Sequence, residues 1–325
     1  MELGRRDFIK VLSAGAVTAA APKSVFGQDR YKVPPKAMAI LYDGTLCIGC
    51  KACEVGCKKE NDMPVESGDM EKIKGVGNIW DAGPDLSQQT LNKIKVYKNG
   101  TAAVKDREKD GFAFVKRACM HCLDPDCVSA CPVTALHKDP VTGIVHWDVN
   151  ACIGCRYCQL ACPYNVPKFE YDKAIPEIVK CEMCAHVQAE GGIPGCCSYC
   201  PTGASLFGPY EAILEEAHRR LQLKEGVRYD YPISDLATGE KIARPVHKYV
   251  NYIYGEKEGG GTQYIMLSAV PFEKLGLPKL PDYSDASISE GIQHTVYKGL
   301  IAPGALLVGL LFAAHRSMKN TDTGE

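Results

Sequence analysis

The chain has 325 residues, 38 Lys and Arg against 39 Asp and Glu, a net charge of −1 and 17 cysteines. That length exceeds one domain of about 100–200 residues, and the even charge balance excludes the basic footprint of a nucleic-acid binder. The cysteines are too sparse for a small disulfide scaffold, odd in number, and grouped rather than scattered.

Residues 1–27 read as an export signal. Arg5 and Arg6, followed by Phe8 and Ile9, precede the apolar run VLSAGAVTAAA and the small residues of PKSVFGQ. This is the twin-arginine type, whose cargo crosses the membrane already folded. Gly4 stands where that pattern usually has Ser or Thr, and Val25 and Gly27 suit a cut after Gly27.

Four cysteine groups follow. CIGCKACEVGC carries Cys47, Cys50, Cys53 and Cys57, and CMHCLDPDCVSAC carries Cys119, Cys122, Cys127 and Cys131. CIGCRYCQLAC carries Cys152, Cys155, Cys158 and Cys162 and repeats the first spacing. The fourth group begins with Cys181 and Cys184 and ends in GCCSYCP. Third and fourth cysteines stand three residues apart in the other groups, which selects Cys196 with Cys200 and leaves Cys197 as a small apolar filler.

Between the first and second groups, residues 58–118 form an insertion with a hairpin, KIKVYKNGTAAVK, turning on Asn99-Gly100. The interval from Pro132 to Ala151 holds two short β-prone runs joined by Thr-Gly, again a hairpin. Pro209 to Leu223 reads as an amphipathic helix, with Glu211, Glu215 and Glu216 early and Arg219 and Arg220 late, as the helix dipole favours. From Lys224 to His294 the chain reads as an extended segment in which GEKEGGG turns into a short apolar strand. No GK[ST] follows those glycines, which excludes a phosphate loop. Lys58, Lys59, Arg156 and Lys180 flank cysteines and read as solvated; His121, His137, His146, His186 and His294 share no register.

Gly299 to Ala314 contains no charge and lies between Lys298 and Arg316. As a helix it covers ~24 Å against a hydrocarbon core of ~30 Å, and the flanking cations can snorkel across the difference. We read residues 295–316 as a transmembrane anchor, with Pro303 in its first turn, and 317–325 as a cytoplasmic tail. Arg316 and Lys319 agree with the positive-inside tendency, although Asp322 and Glu325 dilute it.

A loop with cysteines at every third residue wraps three thiolates around one cubane, while the fourth points to a neighbouring cluster, as in two-cluster ferredoxins. The short hairpin pairs the second group with the third, so the first pairs with the fourth. Crossing the last cysteines gives four sets. The first is Cys47, Cys50, Cys53 and Cys200; the second is Cys57, Cys181, Cys184 and Cys196. The third is Cys119, Cys122, Cys127 and Cys162; the fourth is Cys131, Cys152, Cys155 and Cys158. All sets are complete, which predicts four [4Fe–4S] clusters. Tetrahedral zinc has no place for a third cysteine two residues on, and triplets this dense have no simple internal disulfide pairing. The expected fold is α+β over residues 28–223: two pseudo-symmetric ferredoxin-like modules, one inserted in the other, followed by the extended segment and one transmembrane helix.

Spread over Leu46 to Pro201, the four groups resemble the four-cluster iron–sulfur subunits of membrane respiratory oxidoreductases. GCRYCQLACPYNVPK, YGEKEGGGTQ and GIQHTVYKG are most similar to the electron-transfer subunits of hydrogenase 2. The resemblance implies a protein on the periplasmic side of the inner membrane. Its partners would be the large and small subunits of a [NiFe] hydrogenase, an integral membrane quinone-reactive subunit and the lipid bilayer. It implies electron carriage with no substrate site of the chain's own. The alternatives are the corresponding subunit of a formate dehydrogenase or another molybdopterin enzyme, a subunit of a cytochrome-linked membrane complex, and a non-redox assembly scaffold. No C-x-x-C-H haem motif occurs, so any cytochrome would be a separate chain.

Overall fold

A computed structural model describes residues 33–64, 85–171, 173–237 and 239–321, except the side chains of 294, 295, 298, 301, 302, 305 and 312–321. The leader and its cleavage position lie outside the described residues. The chain divides into a body, Tyr31–Ala286, and a unit containing Ser287 onward.

The body is mixed α and β. Its largest sheet has four strands in the order β11-β9-β1-β13: Ser234–Asp235, Ser205–Pro209, Met38–Asp43 and Tyr264–Leu267. These strands are short and, the edge strand β11 apart, almost wholly buried, with Ala39, Leu41, Leu206 and Ile265 inaccessible to water. Near-continuous apolar runs such as AILY and YIML suit strands covered on both faces. β1 runs antiparallel to β9, with Tyr42 opposite Ser205, and parallel to β13, with Ile40 opposite Tyr264.

That register brings the first and fourth cysteine groups together, because Cys47 follows Tyr42 by five residues and Cys200 precedes Ser205 by five. The inserted half repeats the device in miniature. β5 (Leu136–Lys138) pairs antiparallel with β6 (Val145–Trp147), with Leu136 opposite Trp147. Cys131 precedes Leu136 by five residues and Cys152 follows Trp147 by five. Gly143 makes the turn at φ +74°, a conformation that costs glycine little.

The insertion differs from expectation. β2 (Lys93–Lys98) pairs with β4 (Gly111–Arg117), whereas the run after Asn99-Gly100 yields only β3 (Val104–Lys105), parallel to β4. GFAFVKR has the bulk to bury Ala113, Phe114 and Val115; the small, exposed residues after Gly100 cannot compete for β2.

The helix after β9, Tyr210–Gln222, packs Ile213 and Ala217 into the sheet. Its late Arg220 is not a dipole-complementing surface charge. Arg220 is wholly buried, 2.9 Å from Asp43 and 2.8 Å from Glu216, and Tyr249 donates to Asp43 at 2.7 Å. This network ties the helix, β1 and the C-terminal segment together. That segment is more than an appendage, since it supplies β11 and β13 to the sheet and a hairpin of β10 (Arg228–Pro232) with β12 (Lys241–Pro245).

The last helix runs Asp285–Thr321. Pro303 therefore sits inside it rather than in a first turn, where it removes one backbone hydrogen bond. Among the described residues no helix is long and apolar enough to cross a membrane. Several side chains of Gly299–Ala314 are outside the described set.

Candidate metal–sulfur centres

The loop Cys47–Cys53 winds tightly because Gly49 and Lys51 both have positive φ, 70° and 59°. A β-carbon at Gly49 would meet the Phe114 ring at 2.5 Å. Cys152–Cys158 repeats this with Gly154 at 68° and Arg156 at 65°. In both loops a helix begins at the next residue: α1 (Ala52–Glu60) carries Cys53 and Cys57, and α3 (Tyr157–Ala161) carries Cys158 and ends against Cys162. About one turn thus separates the third cysteine from the fourth and displaces them along the chain.

Cys47, Cys50 and Cys53 stand within electrostatic reach of Cys200, and all four line one cavity with Tyr42, Lys51 and Ile94. Cys57 leaves that group and faces Cys181, Cys184 and Cys196. The approach depends on two glycines: a β-carbon on Gly56 would come within 2.6 Å of the Gly195 carbonyl at the start of α5 (Gly195–Ser198). Cys122 faces Cys119, Cys127 and Cys162. Cys158 faces Cys131, Cys152 and Cys155, which together line a second cavity. The sets also touch in sequence. Cys181 is within reach of Cys119, joining the second set to the third, and Cys127 is within reach of Cys158, joining the third to the fourth.

Burial, with a smaller contribution from neighbouring sulfurs, pushes the Cys47 and Cys158 thiols up to about 11. Four thiolates gathered in an apolar cavity need a compensating cationic group. Among the described residues no three His, Cys, Asp or Glu side chains converge on a point that would hold a single ion. The donors instead surround cavities, with amide hydrogens turned toward sulfur: Met183 N donates to Cys181 at 3.3 Å and Ser205 N to Cys200 at 3.4 Å. The Asn61 side-chain amide reaches Cys184 at 3.6 Å and Cys57 at 3.8 Å. Soft thiolate donors, wide spacing and N–H donors to sulfur fit a [4Fe–4S] group.

Cys196 and Cys197 differ sharply. Cys197 is fully buried and lines neither of the two cavities described, and burial holds its thiol high. Its hydrogen bond to Cys196, 4.0 Å between sulfurs, pulls Cys196 down to about 6, and Lys116 adds to the effect.

Of the four charges flanking the cysteines, Lys59 and Arg156 are exposed as expected, but the other two are not. Lys58 and Lys180 are buried, and Lys180 donates to the Val145 and Cys181 carbonyls. Arg156 lies over the Phe169 ring at 5.4 Å, and Lys59 over Tyr199 at 5.5 Å. His121 is buried, and its Nδ1 accepts from Val145 N. Sequence reading missed Lys116, which is wholly buried near the first two sets. Its signal was alternation: Phe112, Phe114 and Lys116 share one face of a strand, so a lysine occupies a core-facing position.

Residues 110–210 match the 4Fe-4S dicluster domain family. Over 324 residues the chain is 46% identical to the hydrogenase-2 operon protein HybA of Escherichia coli O157:H7, covering 98% of this chain and 97% of that protein. The HybA protein of Shigella flexneri matches equally. The iron-sulfur subunit of the nitrate-inducible formate dehydrogenase of Escherichia coli K12 is 31% identical over 317 residues, 96% of this chain and 93% of its own length.

Proposed function

The chain belongs to the family of [4Fe–4S] electron-transfer subunits that serve hydrogenase 2 and formate dehydrogenases, and we propose that it carries electrons from a [NiFe] hydrogenase to a quinone-reactive membrane subunit. The observation that supports this reading is the nearness of cysteines from different sets: Lys116 is within electrostatic reach of both Cys53 and Cys196, Cys181 of Cys119, and Cys127 of Cys158. In this reading the sixteen cysteines from Cys47 to Cys200, Cys197 excluded, ligate four clusters. The clusters supply one-electron carriage when bound. The protein's part is to space them, bury them and set their potentials. It acts on no substrate of its own.

The leader and the C-terminal stretch complete the proposal. Arg5 and Arg6 would send the folded, loaded chain to the periplasmic side, and residues 295–316 would anchor it with the tail in the cytoplasm. The helical continuity of Asp285–Thr321 through a charge-free stretch supports the anchor, as does the exposure of Leu306, Leu307, Leu310 and Leu311 in the isolated chain.

The test is reduction of the native membrane complex. Dihydrogen should bleach the clusters' visible absorption, and added quinone should restore it. Bleaching by formate but not by dihydrogen would transfer the chain to the formate dehydrogenase reading. No reversible bleaching by any reductant would leave only a scaffold.

A further inference from the structure

Lys116 lies on β4, wholly buried. Its ammonium donates to Ser205 Oγ at 2.9 Å and stands 5.8 Å from the centre of the Tyr264 ring. Among the described residues no carboxylate pairs with it, and the ionisable groups within its electrostatic reach include Cys196, Tyr264, Cys53, Cys197 and Cys57. Lys180 and Lys138 are placed differently. Lys180 is engaged by the Val145 and Cys181 carbonyls, and Lys138 by those of Cys122 and Gly143.

A buried cation without an acidic partner is costly unless something anionic faces it. Cys53 belongs to the first set and Cys196 to the second, so Lys116 stands where two anionic clusters would flank it. On reduction each cluster gains one electron and its net charge becomes one unit more negative. No bond is made or broken, and no proton need move, because the ammonium is already charged. In so dry a place a fixed positive charge is screened less than it would be in water, and cluster potentials follow the net charge and hydrogen bonding around the sulfurs.

We propose that Lys116 is a potential-setting residue shared by the first two clusters, raising the reduction potential of both and making them the pair that fills first. This deepens the four-cluster reading and rests on it. A purely structural role is the competing account, since the Lys116–Ser205 bond also ties β4 to β9.

The experiment is an electron paramagnetic resonance redox titration of the purified full-length holoprotein, with iron counted in every sample. Wild type should hold about 16 irons and show four reducible components, since a cubane has four irons. In Lys116→Met, two components should become harder to reduce by at least about tenfold in their reduced-to-oxidised ratio, ~59 mV for a one-electron couple. The other two should stay in place. Lys116→Arg should restore the pair toward wild type. Full iron with all four potentials unchanged, or with all four moved together, overturns the proposal. If Lys116→Met does not load iron, Ser205→Ala decides, because it keeps the charge and the backbone N–H but releases the ammonium from its partner. A shift confined to two of the four components supports the proposal, and no shift, or a common shift of all four, overturns it. A wild-type protein with fewer than four clusters would remove the underlying reading, an outcome visible in the iron count before any variant is titrated.

Discussion

The two halves of the body solve one problem at different scales. Each places a cysteine five residues after one strand position and another five residues before its partner, Tyr42 opposite Ser205 in one and Leu136 opposite Trp147 in the other. The outer half closes across a four-stranded sheet whose paired residues are far apart in sequence; the inserted half closes with a hairpin of three residues per strand. Their surroundings differ accordingly. In the first set Cys47, Cys53 and Cys200 are buried and Cys50 is partly covered, whereas in the fourth Cys158 is buried and Cys131, Cys152 and Cys155 are partly covered. The neighbours of the inserted loop stand in solvent, with Ile153, Tyr157 and Leu160 all more than half exposed. Local hairpins position ligands cheaply, while long-range sheets also insulate them. A chain of carriers needs insulation inside and access at an end.

The largest expected effect concerns the adjacent cysteines of the outer half. Cys196→Ser should remove or convert one cluster, a loss of up to about four of about 16 irons, while Cys197→Ser should keep all of them. Iron and acid-labile sulfide analysis checks this, and equal losses would erase the distinction between ligand and filler.

The insulated half also depends on its buried ion network. Arg220→Leu leaves the buried Asp43 without its countercharge and Glu216 with Arg219 alone, and breaking such a buried pair costs about 3–5 kcal/mol. The heat-unfolding midpoint of the holoprotein should fall clearly, with the first and second clusters lost before the others. An unchanged midpoint would show that sheet packing alone holds this half.

The smallest effect belongs to the inserted half. Leu160 is 86% exposed, so Leu160→Ala should change stability by less than about 0.5 kcal/mol. A loss comparable to that of Arg220→Leu would mean that the two halves are equally interior.

Much of this was legible because it is local. Spacing alone marks Cys196 rather than Cys197 as the candidate ligand, and the short interval from Pro132 to Ala151 announces the β5–β6 hairpin. Contacts between distant segments were not legible. Nothing local shows that Tyr264 will lie beside Ile40, or that Arg220, so well placed for the end of a helix, will be pulled inward by Asp43. Asn99-Gly100 is a true turn, yet the pairing went to the bulkier strand beyond it. Lys116 was hidden for a similar reason: alternation marks it as core-facing, but only the fold reveals that Cys53 and Cys196 meet there.

The central claim, four clusters in one unbranched row, is tested most directly by locating iron in the intact complex through anomalous scattering at the iron edge. The account predicts four cubane-sized peaks in the order of the first, second, third and fourth sets, each enclosed by its crossed quartet, with Cys197 touching none. Three peaks, a branched arrangement, or a cluster held by the four cysteines of a single sequence group, such as Cys47, Cys50, Cys53 and Cys57, would contradict it.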